Sequence, residues 1–211
     1  MKNSIYFSEE HDMFREQLRR FIETEIVPNG EKWEEEGTTP RAVLRYMGSL
    51  GFLGIRYPEV YGGTEMDTLA TVILAEELGR STFGGFAVTV LVHTDMASPH
   101  LFNAGNKEQL NRFMPDIISG KKITAIAVTE PAAGSDVASI QTKATQTKGG
   151  WILNGTKMFI TNGIHGDLFF VAAKTGATSR SYMITMFIVE KGTKGFSNGQ
   201  KLNKMGWHSS D

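Results

Sequence analysis

Cysteine is absent from all 211 residues. That removes disulfides, Cys-ligated zinc, iron–sulfur clusters and a thiol nucleophile from consideration. Also missing is any run approaching the ~20 consecutive apolar residues that a membrane-spanning helix needs. The N-terminus, Met1-Lys2-Asn3-Ser4 followed by Glu9, Glu10 and Asp12, has neither the apolar segment of a signal peptide nor the arginines of a transit peptide. These absences lead to the expectation of a cytoplasmic protein. What is present, 40% hydrophobic and 21% charged residues, is the composition of a folded globular chain and not of a disordered one.

Net charge is only −1, but it is unevenly spread. Residues 1–120 carry 18 acidic and 11 basic side chains, and residues 121–211 carry 5 and 11. The hydrophobic period changes at the same place. Phe14, Leu18, Phe21, Ile22 and Ile26 recur at helical spacing behind Ser8 as N-cap. Thr39-Pro40 reads as N-cap plus first-turn proline of a helix carrying Val43, Leu44, Met47 and Leu50, which Gly51 ends. A helix with Leu69, Val72, Ile73 and Leu78 closes at Gly79, and Leu110, Phe113, Met114, Ile117 and Ile118 share a face before Gly120. Residues 86–102 are apolar enough for a buried helix that Pro99 kinks or cuts.

Beyond Lys122 the period becomes two, with β-branched and aromatic residues prevailing. The expected strands are 123–128, 140–147, 151–153, 156–160, 168–174 and 182–189, with turns at Gly149-Gly150 and Asn154-Gly155. The predicted class is α+β: a helical domain over 1–121, then an antiparallel, barrel-like β-domain over 122–211.

Two segments carry the chemistry. Where the first strand ends, Ala127-Val128-Thr129-Glu130-Pro131-Ala132-Ala133-Gly134-Ser135-Asp136 combines small residues, hydroxyls and a glycine. Backbone N–H groups there can approach an anion such as a pyrophosphate, although the same residues also make ordinary turns. Further on, Asn154-Gly155-Thr156-Lys157-Met158-Phe159-Ile160-Thr161-Asn162-Gly163 places an aromatic ring and a hydroxyl on one face, which suits a flat polar ring system.

Together these segments resemble the acyl-CoA dehydrogenase family. Pro58-Glu59-Val60-Tyr61-Gly62-Gly63, Ala75-Glu76-Glu77-Leu78-Gly79-Arg80 and the closing Lys204-Met205-Gly206-Trp207-His208-Ser209-Ser210-Asp211 extend the resemblance, in order, along the whole chain. It implies FAD as cofactor and abstraction of the alpha proton of an acyl-CoA thioester while hydride leaves the beta carbon for flavin N5. Carried over by position, Ile126, Val128 and Thr129 border the flavin ring, and Gly134 and Ser135 serve the pyrophosphate. Ser135 also meets the acyl-CoA. Phe159 packs beside the flavin with Ile160, and the Thr161 hydroxyl bonds at N5. The basic excess of the second half suits the phosphates of FAD and coenzyme A.

The resemblance also implies an electron-transfer flavoprotein as acceptor, a homo-oligomer, and a catalytic glutamate in a C-terminal helical domain lying beyond Asp211. A β-domain ending at Asp211 is expected to leave an unpaired edge and exposed apolar surface. Glu65 stands where relatives commonly carry glycine, which puts the loop geometry there in question. Glu76, Glu77 and Glu130 are poor substitutes for the base, and His93 and His100 are spaced too far apart along a helix to share a metal ion. Two other readings stay open: a non-catalytic module that binds FAD or acyl-CoA, and an acyl-CoA oxidase.

Overall fold

The computed structural model describes residues 5–176 and 183–211. Helix α1 (Glu9–Phe21) starts at Ser8, whose hydroxyl accepts from the His11 amide while the His11 ring accepts from the Ser8 amide. A π-helical turn, Ile22–Ile26, continues it. Helix α2 (Gly30–Glu36) lies where the sequence predicts only the end of the first helix, because its acidic exterior masks the single buried anchor, Trp33. Helix α3 (Arg41–Ser49) begins one residue later than expected: Pro40 is the N-cap, and the Thr39 hydroxyl instead donates to the Ser209 carbonyl.

Helix α4 (Thr68–Arg80) runs through Gly79 and ends at Ser81. Asp67 caps its start and also receives the His11 ring Nε2 at 2.8 Å. The apolar stretch around Pro99 forms α5 (Gly84–Leu91), a π-helical turn (Val92–Ala97) and α6 (Ser98–Ala104). Pro99 brings no N–H to close the turn above it. The Thr94 carbonyl is satisfied instead by the Tyr57 and Ser98 hydroxyls, and the chain stays helical through the proline. Helix α7 (Lys107–Ile118) starts in a reciprocal Asn106–Gln109 capping box.

Strands are β1 (Thr124–Ala127), β2 (Lys143–Thr147), β3 (Gly150–Asn154), β4 (Leu168–Lys174) and β5 (Ile184–Glu190). β4 organises the sheet. β5 pairs antiparallel along its whole length, and β1 pairs parallel with its first half, Thr124 opposite Leu168. β2 takes over the same edge at Lys174, again parallel, and carries β3 antiparallel beside it. The expected antiparallel barrel is therefore corrected to a mixed, unclosed sheet. Residues 128–142 are looped out between two pieces of one row, which is why pairing could not be read from alternation alone.

Three strand expectations change. Residues 140–142 precede β2 and follow a 3-10 turn at Val137–Ser139. The last strand starts at Ile184, and Tyr182 lies outside the described residues. Residues 156–160 form no strand, because Phe159 has φ +57° and cannot continue an extended ladder.

Two main clusters hold the molecule together. Leu18, Ile26, Met47, Leu53, Ile73 and Phe86 centre the helical one. A second joins Leu101, Met114 and Ile117 to Leu168 and Phe170 of β4, so that helices and sheet share one apolar seam. Polar ties reinforce the seam. Arg41 at the start of α3 pairs with Asp167, which also receives the Ile123 amide at 2.8 Å.

His93, in the π-helical turn, is fully buried between β1 and α7. Thr124 donates its amide to Nδ1 at 3.1 Å, so Nε2 carries the proton and donates to the Ile117 carbonyl, also at 3.1 Å. Burial pushes this imidazole down to about 4, partly countered by the Ile117 bond, and keeps it neutral.

Candidate flavin cradle

The looped-out residues 128–142 are rooted in the sheet and open at the tip. Glu130 and Ala133 exchange backbone bonds, N–H to carbonyl, at 2.9 and 3.1 Å, which turns the chain tightly at Pro131-Ala132. Ala133 and Ile140 fold under the loop onto Ala172 of β4, forming a small third cluster with Val128 at its side. The tip is thus held from beneath while Gly134, Ser135 and Asp136 face outward.

Glu130 is the keystone. Its side chain is 4% exposed and accepts three bonds, from the amides of Gln141 and Thr142 (3.0 Å) and from the Lys157 ammonium at 2.8 Å. Burial alone would raise its pKa, but the Lys157, Thr142 and Gln141 bonds outweigh it and draw it down to about 2. A carboxylate so engaged is a poor proton acceptor. Glu77 is equally committed, 1% exposed between Arg15 and Arg19 at 3.0 and 2.6 Å.

Lys157 also donates to the Val128 carbonyl at 2.8 Å, and the Met158 amide donates to the Thr129 carbonyl at 2.9 Å. The two segments singled out in the sequence therefore meet side by side. Gly155 permits the approach, because a Cβ there would collide with Thr142. Ile126 is half-buried on β1, and Val128 and Thr129 are half-buried at the loop root. Ile160 and Thr161 are half-buried and Phe159 is 68% exposed, its ring turned out by its left-handed backbone. Gly134 and Ser135 lie apart from these, at the exposed tip.

Sequence reasoning gave no role to Lys157 or Asn162. Asn162 is buried and its Nδ2 donates to the carbonyls of Thr89 in α5 (3.1 Å) and Thr124 in β1 (3.0 Å). One signal was available for Lys157: a single glutamate inside an apolar loop of a basic region needs a cation. Nothing in the sequence around Asn162 gives such a signal.

A cavity of about 110 Å³ lies elsewhere, with Arg41, Thr89, Asn162, His165 and Asp211 in its wall. It sits at the junction of helices, sheet and the closing segment, whereas the cradle is open surface. That closing segment is fixed to α2. Glu34 accepts from the amides of His208 (2.6 Å) and Ser209 and from the Ser209 hydroxyl, while Trp207 lies against Gly84.

Comparison with known families gives two matches in chain order. The acyl-CoA dehydrogenase N-terminal domain matches residues 8–121 and the acyl-CoA dehydrogenase middle domain matches 125–211. The chain belongs to the acyl-CoA dehydrogenase family. The long-chain specific acyl-CoA dehydrogenase of Mus musculus mitochondria is 44% identical over 207 residues, covering 97% of this chain and 48% of that protein. The crystal structure of an acyl-CoA dehydrogenase from Geobacillus kaustophilus superposes with a TM-score of 0.92 at 40% identity, covering 99% of this chain and 55% of that one. An acyl-CoA dehydrogenase from Bacillus anthracis, solved in complex with FAD, gives 0.87 at 35% identity over 97% of this chain and 34% of its own. The chain spans about half the length of the curated relatives it matches. The α+β fold with its helical first part and sheet-containing second part is that of this family.

Proposed function

We propose that these residues form the flavin-holding part of an FAD-dependent enzyme that converts an acyl-CoA thioester to the trans-2-enoyl-CoA. The observation that carries the reading is the meeting of the two family segments through Lys157 and Met158. The residues present fit the cofactor. An exposed aromatic ring on a left-handed backbone is costly unless something covers it, and a Cβ at Gly134 would meet nothing within 4 Å. Ile126, Val128 and Thr129 would border the ring system, with Phe159 and Ile160 beside it and the Thr161 hydroxyl at its reactive nitrogen. Gly134 and Ser135 would serve the pyrophosphate, and Ser135 the acyl-CoA as well.

The bound flavin supplies the electron sink for the hydride that leaves the beta carbon. This chain's own residues bind, orient and keep water from one face of that ring. Glu130 and Glu77 are held by cations and poorly placed to accept the alpha proton, which supports assigning that role to a residue outside these 211. The same commitment favours a second reading for the 211 residues in isolation, a module that binds FAD and acyl-CoA without turnover. An electron-transfer flavoprotein as acceptor and a homo-oligomeric holoenzyme complete the proposal.

The test is product analysis. FAD-loaded protein extended past Asp211 is given an acyl-CoA with an artificial electron acceptor, and the thioester product is weighed. Loss of two hydrogens supports the reading, and an unchanged thioester contradicts it. Peroxide formed stoichiometrically with oxygen identifies an oxidase instead.

A further inference from the structure

The two halves of the cradle are joined through residues 157–162, which belong to no strand. A segment without ladder bonds, holding Phe159 at φ +57° and Asn162 at φ +63°, has to be fixed by other means. At its start the Lys157 side chain is 11% exposed and its ammonium bonds both the Val128 carbonyl and the Glu130 carboxylate. At its end the Asn162 amide bridges the carbonyls of Thr89 and Thr124. One anchor grips the loop root and the other grips the seam between α5 and β1.

The geometry points to Lys157 and Asn162 as positioning residues of the flavin cradle, pinning the two ends of a strap that sets Phe159 and Thr161 relative to the Thr129 loop. This deepens the flavin reading and rests on it. The residue types fit the task. A compact ammonium serves two acceptors lying in different directions, which the planar fork of arginine does not match. Asparagine tolerates the left-handed backbone and offers two donors on one nitrogen. Neither side chain touches reacting atoms, so each acts through the strap.

The test compares the full chain with Lys157→Met and with Lys157→Met combined with Glu130→Gln, which removes the stranded charge. FAD affinity is read by flavin fluorescence, the flavin environment by visible circular dichroism, and the strap by amide exchange at Met158. The single variant is expected to bind FAD at least tenfold more weakly, to alter the visible spectrum, and to exchange Met158 at least tenfold faster with β4 amides unchanged. The double variant is expected to recover the thermal midpoint without recovering affinity or spectrum, because the Val128 carbonyl still lacks its donor. If the single variant does not fold, the double variant carries the same comparison. Unchanged FAD affinity and Met158 exchange, or recovery of both in the double variant, would overturn the proposal. If the unmodified chain takes up no FAD, the flavin reading fails, while Met158 exchange still decides whether Lys157 pins the strap.

Discussion

Buried polar side chains tie the segments of the candidate cradle to the helices and the sheet. Burial holds the His93 pKa down at about 4, against an ordinary value of 6.5, so the folded imidazole is mostly neutral only above that pH. Its folded pKa is the lower one, so the unfolded chain binds the proton first as pH falls. The stability held above pH 6.5 is therefore lost progressively down to about pH 4, by about 3 kcal/mol over the whole window. Urea unfolding across this range should show that loss in the wild type. The same series in His93→Gln should lack this component, starting from lower stability at neutral pH. Glu130 acts in a lower window: its contribution is present above pH 4.5 and is lost toward pH 2.

Glu65 illustrates the opposite case, a residue that fits its backbone poorly. It keeps φ +57°, the left-handed conformation that the sequence comparison with glycine at this position had put in question. Replacing it with glycine relieves that strain and adds chain entropy to the unfolded state, for a net gain of about 1 kcal/mol. Thermal unfolding of Glu65→Gly should show a raised midpoint. Phe159 separates binding from folding. Because its ring is mostly exposed, Phe159→Ala should change stability by under about 0.5 kcal/mol while measurably weakening FAD uptake in a fluorescence titration.

Among the elements, the helices other than α2 were the most legible, since they carry apolar residues at helical spacing and recognisable ends. Ser8 caps α1 as its position suggests, and Asn106 with Gln109 closes a capping box that the sequence reading passed over. Asn106→Ala should lower stability by about 1 kcal/mol in chemical denaturation. α2 escaped because one tryptophan is too little for a period. The strand assigned to 156–160 failed for a different reason: its order comes from Lys157 and Asn162, side chains whose partners are distant in sequence. Parallel pairing of β1 with β4 escaped likewise, because alternation reports a buried face and not a neighbour. At the β3 edge Trp151 is 43% and Ile152 54% exposed.

For the whole molecule, the charge division coincides with the seam between helices and sheet, and that seam is crossed by specific ties. Arg41 reaches Asp167 and the His165 carbonyl, while Asp167 holds the Ile123 amide just before β1. The two motif segments were legible from the sequence; the ties that brace them from the helical side, through His93, Asn162 and Arg41, were not, because these contacts span long sequence separations. The central claim is that these 211 residues hold the flavin while the proton acceptor lies outside them. Its most direct test is anaerobic addition of acyl-CoA to the FAD-loaded 211-residue chain, with flavin absorbance as readout. The account predicts a flavin that is bound and stays unbleached, and that bleaches in a chain extended past Asp211. Bleaching by the 211 residues alone, or no flavin bound at all, would contradict it.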